Sequence, residues 1–141
     1  MGPARVLIVD DFGKWRIAIC SILAEDPEFE VIGESQNGLD AVHKSGELLP
    51  DLVLMDIGLP GLNGLDAARR ILEVSPKTKI LFLSADHVLE VIREALNIGA
   101  GFVLKTDAGE NLLAVARSIV RDEPFVRFSY LDECGDDSGE H

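Results

Sequence analysis

LVLMDIGLPGLNG, residues 52–64, is an apolar run that ends in Asp56 and continues into a loop rich in glycine and proline. An uninterrupted apolar run predicts a strand that is buried on both faces of a sheet. The segment VLIVDDF (6–12) repeats this pattern, because its apolar run ends in Asp10 and Asp11. Two strands of this kind favour a parallel sheet that is covered by helices on both sides.

The remaining sequence alternates between helical and strand periods. The spacing of apolar residues predicts five helices: one that begins at Trp15, two over about 39–49 and 65–74, one from Val88 to Leu96 and one from Leu112 to Val120. Shorter apolar runs predict further strands over 29–34, 79–84 and 102–104. The second strand, FEVIGE, is short and polar, as expected at the edge of a sheet. Strands that alternate with helices in this way predict an α/β protein with a doubly wound parallel sheet.

Polar residues stand where the predicted strands end. Right-handed crossovers place the carboxyl ends of parallel strands at one edge of the sheet, where ligands of open α/β sheets bind. The residues at these ends are Asp10, Asp11, Asp56, Ser84 and Lys105. We therefore expect residues that are far apart in the sequence to line one crevice.

The chemistry of this crevice follows from its charges. Two unit charges about 4 Å apart cost roughly 4 kcal/mol at an effective dielectric constant of about 20, so three carboxylates there repel each other. A hard divalent cation would relieve the repulsion, and carboxylates, a backbone carbonyl and waters suit Mg²⁺. Lys105 can neutralise a phosphoryl oxygen or pair with Asp56, and Ser84 offers a hydroxyl. Together these groups describe a site for placing a phosphoryl group on a carboxylate.

The same residues carry a resemblance to a known family. The sequence resembles the receiver domain of bacterial two-component response regulators, and its last matching segment most resembles receivers of the NarL/LuxR type. The resemblance covers residues 4–121 and implies a flavodoxin-like (βα)5 fold with strand order 2-1-3-4-5. The matching segments are VLIVDDF (6–12), LVLMDIGLPGLNGLDAARRI (52–71), KILFLSA (79–85) and GAGFVLKTDAGENLLAVAR (99–117).

The resemblance implies a switch that is activated by phosphorylation of Asp56. This residue matches the phosphoacceptor, which takes a phosphoryl group from a phosphohistidine of a sensor histidine kinase. Asp11 matches the direct ligand of the metal, and Asp10 matches the acid that holds the metal largely through water. The backbone carbonyl of Gly58 matches a further protein ligand beside Asp56, and the implied cofactor is Mg²⁺.

The resemblance also implies how the signal leaves the site. Lys105 matches the lysine that pairs with the phosphoryl group, and Ser84 matches the switch hydroxyl that moves toward it. Phe102 matches the aromatic residue that turns inward on activation. Self-catalysed phosphorylation and slow hydrolysis would then alter the surface of the fourth helix, fifth strand and fifth helix. A homodimer on phosphorylation is an expectation from the family.

Charge and hydropathy limit the partners of the chain. With 13 basic and 25 acidic residues the net charge is −12, which produces a field that repels nucleic-acid phosphate. Residues 122–141 hold seven acids and one arginine, and we interpret them as an acidic tail or linker after a receiver domain at 1–121. We expect no DNA-binding domain in this chain, no signal peptide and no membrane contact, and hence a cytoplasmic protein.

We expect the phosphorylated switch to be the receiver part of a LuxR-type transcriptional regulator. Other functions remain as alternatives to this one. A stand-alone receiver or a pseudo-receiver would act only through protein contacts, although pseudo-receivers usually lose one of the acids or the lysine. An FMN-binding redox protein of the same fold would need a first loop rich in serine and threonine, whereas this loop reads DDFGK.

Three residues are interpreted without a place in the chemistry. Trp15 is expected to pack the first helix, although it follows the acidic loop and its fluorescence could report binding there. Cys20 and Cys134 are too few and too far apart for a disulfide framework or a metal site. We therefore predict that both cysteines are free thiols.

Overall fold

Parallel strands and helices alternate along the residues that the computed structural model describes, 2–86 and 88–123. The strands are β1 (Ala4–Val9), β2 (Phe29–Ser35), β3 (Leu52–Asp56), β4 (Lys79–Ser84) and β5 (Gly101–Leu104). The helices are α1 (Gly13–Ala24), α2 (Gly38–Leu48), α3 (Gly64–Val74), α4 (Leu89–Ile98) and α5 (Ala108–Val120), with a short 3-10 helix at Lys105–Asp107.

The strands form one sheet in the order β2-β1-β3-β4-β5, and every neighbouring pair is parallel. This order confirms the predicted doubly wound α/β fold. β2 lies at an edge, as its polar sequence predicted, and its burial varies from the buried Phe29 to the exposed Glu30. β3 is buried at every residue, because it lies between β1 and β4 and helices cover both of its faces.

Two hydrophobic cores lie on opposite faces of the sheet, since successive strand residues point to opposite sides. Leu7 and Val9 of β1 belong to a core cluster with residues of α2, α3 and α4. Val6 and Ile8 of the same strand belong to a second cluster with residues of α1 and α5. The central strands are thereby fixed on both faces, and the acids at their carboxyl ends are fixed with them.

Asparagine side chains begin the helices α2 and α3. Asn37 accepts a hydrogen bond from the N–H of Asp40 (2.8 Å), and Asn63 accepts one from the N–H of Asp66 (2.9 Å). A side-chain acceptor at this position satisfies one of the free N–H groups at the start of a helix. Each of these helices therefore begins one residue earlier than the apolar spacing predicted.

The far end of α5 is tied to the segment between α1 and β2. Arg117 Nε donates to Asp26 Oδ2 (2.5 Å), and the guanidinium of Arg121 donates to both carboxylate oxygens of Glu28 (2.7 and 3.1 Å). The N–H of Glu28 and the guanidinium of Arg117 lower the pKa of Asp26. These contacts anchor α5 on the α1 side of the sheet.

Part of the predicted tail lies outside the described residues. α5 ends at Val120, and residues 124–141, with Cys134, fall outside the ranges given above. Cys20 is a free thiol, and burial raises its pKa, with Glu34 adding to the effect. No helix within 2–86 and 88–123 is long and apolar enough to cross a membrane.

Candidate functional site

The carboxyl edge of the sheet brings the predicted residues together. Asp10 and Asp11 follow β1, Asp56 and Ser84 end β3 and β4, and Lys105 follows β5. One oxygen of each of the three aspartates lies within 4.8 Å of the others. Asp10 and Asp56 are buried, whereas Asp11 is exposed, so the acidic cluster is reached from solvent on the side of Asp11.

Asp10 is held in place through three of its atoms. Its Oδ1 accepts a hydrogen bond from the N–H of Phe12 (2.9 Å), and its carbonyl oxygen accepts one from Arg16 Nη1 (2.7 Å). Its Oδ2 lies 2.7 Å from Lys105 Nζ. That contact is an ion pair, and this buried oxygen accepts no hydrogen bond from the described residues.

Asp56 lies beside the same lysine in a buried position. Its Oδ1 accepts a hydrogen bond from the N–H of Gly58 (3.1 Å) and lies 3.5 Å from Lys105 Nζ. Burial raises the pKa of Asp56, and the negative charge of Asp10 raises it further. Lys105 and the Gly58 N–H oppose this rise without cancelling it. The pocket therefore holds more negative charge than its lysine neutralises.

The acidic cluster fits a hard divalent cation. Its donor atoms are carboxylate oxygens, and the buried Asp10 Oδ2 accepts no hydrogen bond from the described residues. Oxygen donors of this kind suit Mg²⁺. Asp10, Asp11 and Asp56 are the side chains that could hold the ion, and Gly58, whose carbonyl is the further predicted ligand, lies in the loop directly after β3. The positive charge would relieve the repulsion that raises the pKa of Asp56.

Ser84 and Phe102, the predicted switch residues, are both buried. The hydroxyl of Ser84 donates to the carbonyl oxygen of Asp86 and accepts from the N–H of the same residue, both at 3.1 Å. Phe102 is 2% exposed and belongs to the core cluster under α4, together with Phe82 and Ile92. The hydroxyl of Ser84 is thus hydrogen-bonded within its own loop, and the ring of Phe102 already lies in the hydrophobic core.

Arg16 was not singled out from the sequence, and Trp15 was expected near the acidic loop but not in contact with Lys105. Arg16 donates to the carbonyl oxygen of Asp10 and, through Nε, to Glu34 Oε1 on β2 (3.1 Å). Trp15 packs on the core cluster under α1 and α5, as predicted, but Lys105 Nζ also lies over its ring, 5.3 Å from the centre. Apolar periodicity could not reveal these contacts, since each joins a side chain to a residue outside its own element.

The fold and the placement of these residues define a receiver-like domain, the class that the sequence resemblance implied. Comparison with known proteins establishes the family: residues 6–117 match the response regulator receiver domain, and the chain belongs to this family. Receiver domains serve phosphorylation-based signalling in two-component systems.

Known relatives include short and long response regulators. The chain is 42% identical over 102 residues to chemotaxis protein CheY of Thermotoga maritima, with 72% of this chain and 84% of that protein covered. It is 34% identical over 130 residues to the virulence transcription regulator BvgA of Bordetella pertussis, with 92% and 62% covered. The chain spans 34% of the length of a protein-glutamate methylesterase from Methanosarcina acetivorans, to which it is 37% identical over 119 residues.

A solved structure supports the subfamily. The signal receiver domain of the response regulator NarL from Mycobacterium tuberculosis is 29% identical, with a TM-score of 0.73 and coverage of 83% of this chain and 98% of that chain. Regulators of the NarL/LuxR type are thus among the relatives, which confirms the resemblance seen in the last matching segment.

Proposed function

We propose that this chain is a phosphorylation-activated receiver in which Asp56 accepts a phosphoryl group from a sensor histidine kinase with the help of Mg²⁺. The observation that carries the proposal is the convergence of Asp10, Asp11 and Asp56 within 4.8 Å, beside the ammonium of Lys105. The packing of the separate elements that supply these residues does not require such a cluster of charges. Repulsion among its carboxylates lowers the stability of the fold.

In the proposed reaction a carboxylate oxygen of Asp56 attacks the phosphorus of the kinase phosphohistidine. The P–O bond forms as the P–N bond breaks, and the imidazole nitrogen keeps the bonding electron pair and takes up a proton. Hydrolysis follows when water attacks the phosphorus and the P–O bond to Asp56 breaks, which releases phosphate and restores the carboxylate. The protein contributes mainly by positioning these groups and neutralising charge.

Each residue near Asp56 has a separate task in this proposal. Attack requires the ionised carboxylate, so Lys105 favours the reactive form by opposing the rise in the pKa of Asp56. Lys105 also lies close enough to Asp56 to pair with an oxygen of the incoming phosphoryl group. Asp10, Asp11 and the Gly58 carbonyl would hold the metal with Asp56. When bound, Mg²⁺ supplies positive charge that offsets the charge on the phosphoryl oxygens.

The proposed switch links the phosphoryl group to the surface of α4, β5 and α5. Ser84 would leave its contacts with Asp86 and turn its hydroxyl to a phosphoryl oxygen. Phe102 of β5 and Ile92 of α4 belong to one core cluster, so a shift of Ser84 at the end of β4 would reach both elements through packed neighbours. Phosphorylation would then favour one of two arrangements of this surface.

The proposed wider role is the receiver part of a LuxR-type transcriptional regulator, with residues 1–121 as the receiver and 122–141 as an acidic tail or linker. It follows from similarity to regulators such as BvgA, of whose length the chain spans 62%. The proposed partners are a sensor histidine kinase and, on phosphorylation, a second copy of the chain. The net charge of −12 favours protein partners over nucleic acid for this part of the molecule.

The proposal is tested by incubating the chain with acetyl phosphate, with and without Mg²⁺, and weighing the intact protein. We expect a gain of one phosphoryl group that requires the metal and is absent in Asp56→Asn. Glu73→Gln, an exposed acid on α3 outside the site, is the matched control and should gain the group like the wild type. A folded wild-type protein that gains nothing would favour a pseudo-receiver that acts through protein contacts.

A further inference from the structure

Trp15 has no task in the proposed chemistry, yet its ring faces the site. It lies in the first turn of α1, where its N–H donates to the carbonyl oxygen of Phe12 (3.0 Å). Its partly buried side chain packs on the core cluster under α1 and α5. Lys105 Nζ lies 5.3 Å from the centre of its ring. An ammonium at this distance over an aromatic face is a cation–π contact, and the indole ring makes the strongest ones.

The ring adds to two ion pairs that hold Lys105, with Asp10 Oδ2 at 2.7 Å and with Asp56 Oδ1 at 3.5 Å. The side chain is 11% exposed, so water competes weakly for the ammonium. The four-carbon stem of a lysine is flexible. A flat ring on one side restricts the positions that the ammonium can reach.

We infer that Trp15 is a positioning residue that holds the ammonium of Lys105 against the acidic cluster for phosphoryl transfer. The inference rests on the proposed function, since it concerns the same site. With Trp15 in place, the ammonium is kept 3.5 Å from Asp56 Oδ1, where a phosphoryl oxygen would need it. Without the ring, Lys105 gains rotamers that point away from Asp56. The loss then falls on the transfer step, because the acids and the nucleophile are unchanged.

The test compares initial rates of phosphorylation by acetyl phosphate and Mg²⁺ in three variants. Trp15→Leu keeps an apolar side chain and removes the aromatic face, and we expect its rate to fall between about 3-fold and about 30-fold. Trp15→Phe keeps an aromatic face and should recover part of that loss. Ile17→Ala changes a residue of α1 that is 68% exposed, and it should keep the wild-type rate.

A second measurement separates positioning from packing. Urea unfolding of Trp15→Leu is compared in the wild-type background and in Lys105→Gln. A contact with the ammonium predicts a smaller shift of the urea midpoint in Lys105→Gln, because the partner of the ring has been removed. Packing alone predicts the same shift in both backgrounds.

The outcomes distinguish the inference from the function on which it rests. A rate in Trp15→Leu that matches the wild type, or equal midpoint shifts in the two backgrounds, would overturn the inference. A wild-type chain that is folded but takes up no phosphoryl group would instead contradict the proposed function. The urea comparison would still decide whether Trp15 holds Lys105.

Discussion

The backbone of Gly64 touches the backbone of Asp56. A Cβ atom at position 64 would overlap the carbonyl oxygen of Asp56 and would lie 2.7 Å from Ile57 Cα. The N–H of Gly64 also donates to the carbonyl oxygen of Ile57 (3.0 Å). The first residue of α3 therefore sets the place of the proposed phosphoacceptor, and only glycine allows this approach without moving one of the two segments.

Gly64→Ala should damage stability and phosphorylation together. The methyl group would push α3 away from the end of β3, with a loss of about 2–4 kcal/mol in the free energy of unfolding and a lower rate with acetyl phosphate. Urea unfolding and intact mass measure the two effects. Gly109→Ala is the matched control, because nothing lies within 4 Å of a Cβ there. It should gain up to about 1 kcal/mol in α5. Equal stability of the two variants would contradict the prediction.

Asp56→Asn should stabilise the fold at neutral pH when a chelator removes divalent metal. Burial and Asp10 raise the pKa of Asp56, so the folded state binds its proton more readily than the unfolded state does. Ionised Asp56 therefore destabilises the fold above its folded pKa. The penalty begins to shrink as the pH falls through that value and is gone below the pKa of the unfolded state. We expect Asp56→Asn to gain on the order of 1 kcal/mol at pH about 7. This gain in stability should shrink at acidic pH. A stability difference between Asp56→Asn and the wild type that does not change with pH would contradict a raised pKa of Asp56.

Mg²⁺ should raise the thermal midpoint of the wild-type protein. A ligand that binds the folded state alone stabilises it by about 2.7 kcal/mol at a concentration of 100 times Kd. Asp11→Ala removes the exposed acid of the cluster and should abolish most of this rise, while leaving the midpoint without metal close to the wild-type value. Glu73→Gln should keep the full rise. Thermal scans across a Mg²⁺ series provide the measurement, and an undiminished rise in Asp11→Ala would remove Asp11 from the metal site.

Gly58→Asn should lengthen the life of the phosphorylated state severalfold. A Cβ at position 58 would lie 3.8 Å from Asp56 Oδ1, an ordinary contact distance, so a larger side chain there could shield the phosphoryl group from water. Gly58 does not have a positive φ, and the substitution carries no backbone strain. The decay of the phosphorylated species by intact mass reports the effect. Gly58→Ala adds too little bulk to shield the group and should decay close to the wild-type rate.

The sequence contains enough information for the sheet and for the meeting of the acids. The fully apolar runs before Asp10 and Asp56 specify central strands, and the handedness of parallel connections then places their carboxyl ends at one edge. Finer contacts depend on rotamers and on distances between elements, which periodicity does not encode. The hydroxyl of Ser84 could be predicted at the edge, but its engagement with Asp86 could not. The cation–π contact between Trp15 and Lys105 could not be predicted for the same reason.

The anchoring of α5 by Arg117 and Arg121 has a mechanical consequence. The helix begins three residues after Lys105, at the edge of the sheet that carries the acids, and its 13 residues extend about 20 Å away from that edge. The charged pocket lies at one end of this helix, and the ion pairs to Asp26 and Glu28 lie near the other end. A tilt of about 5° at the pocket would displace the far end by about 2 Å over this length. The two arginine pairs would resist that tilt, so their strength determines how far a displacement of α5 at the pocket moves the far end of the helix.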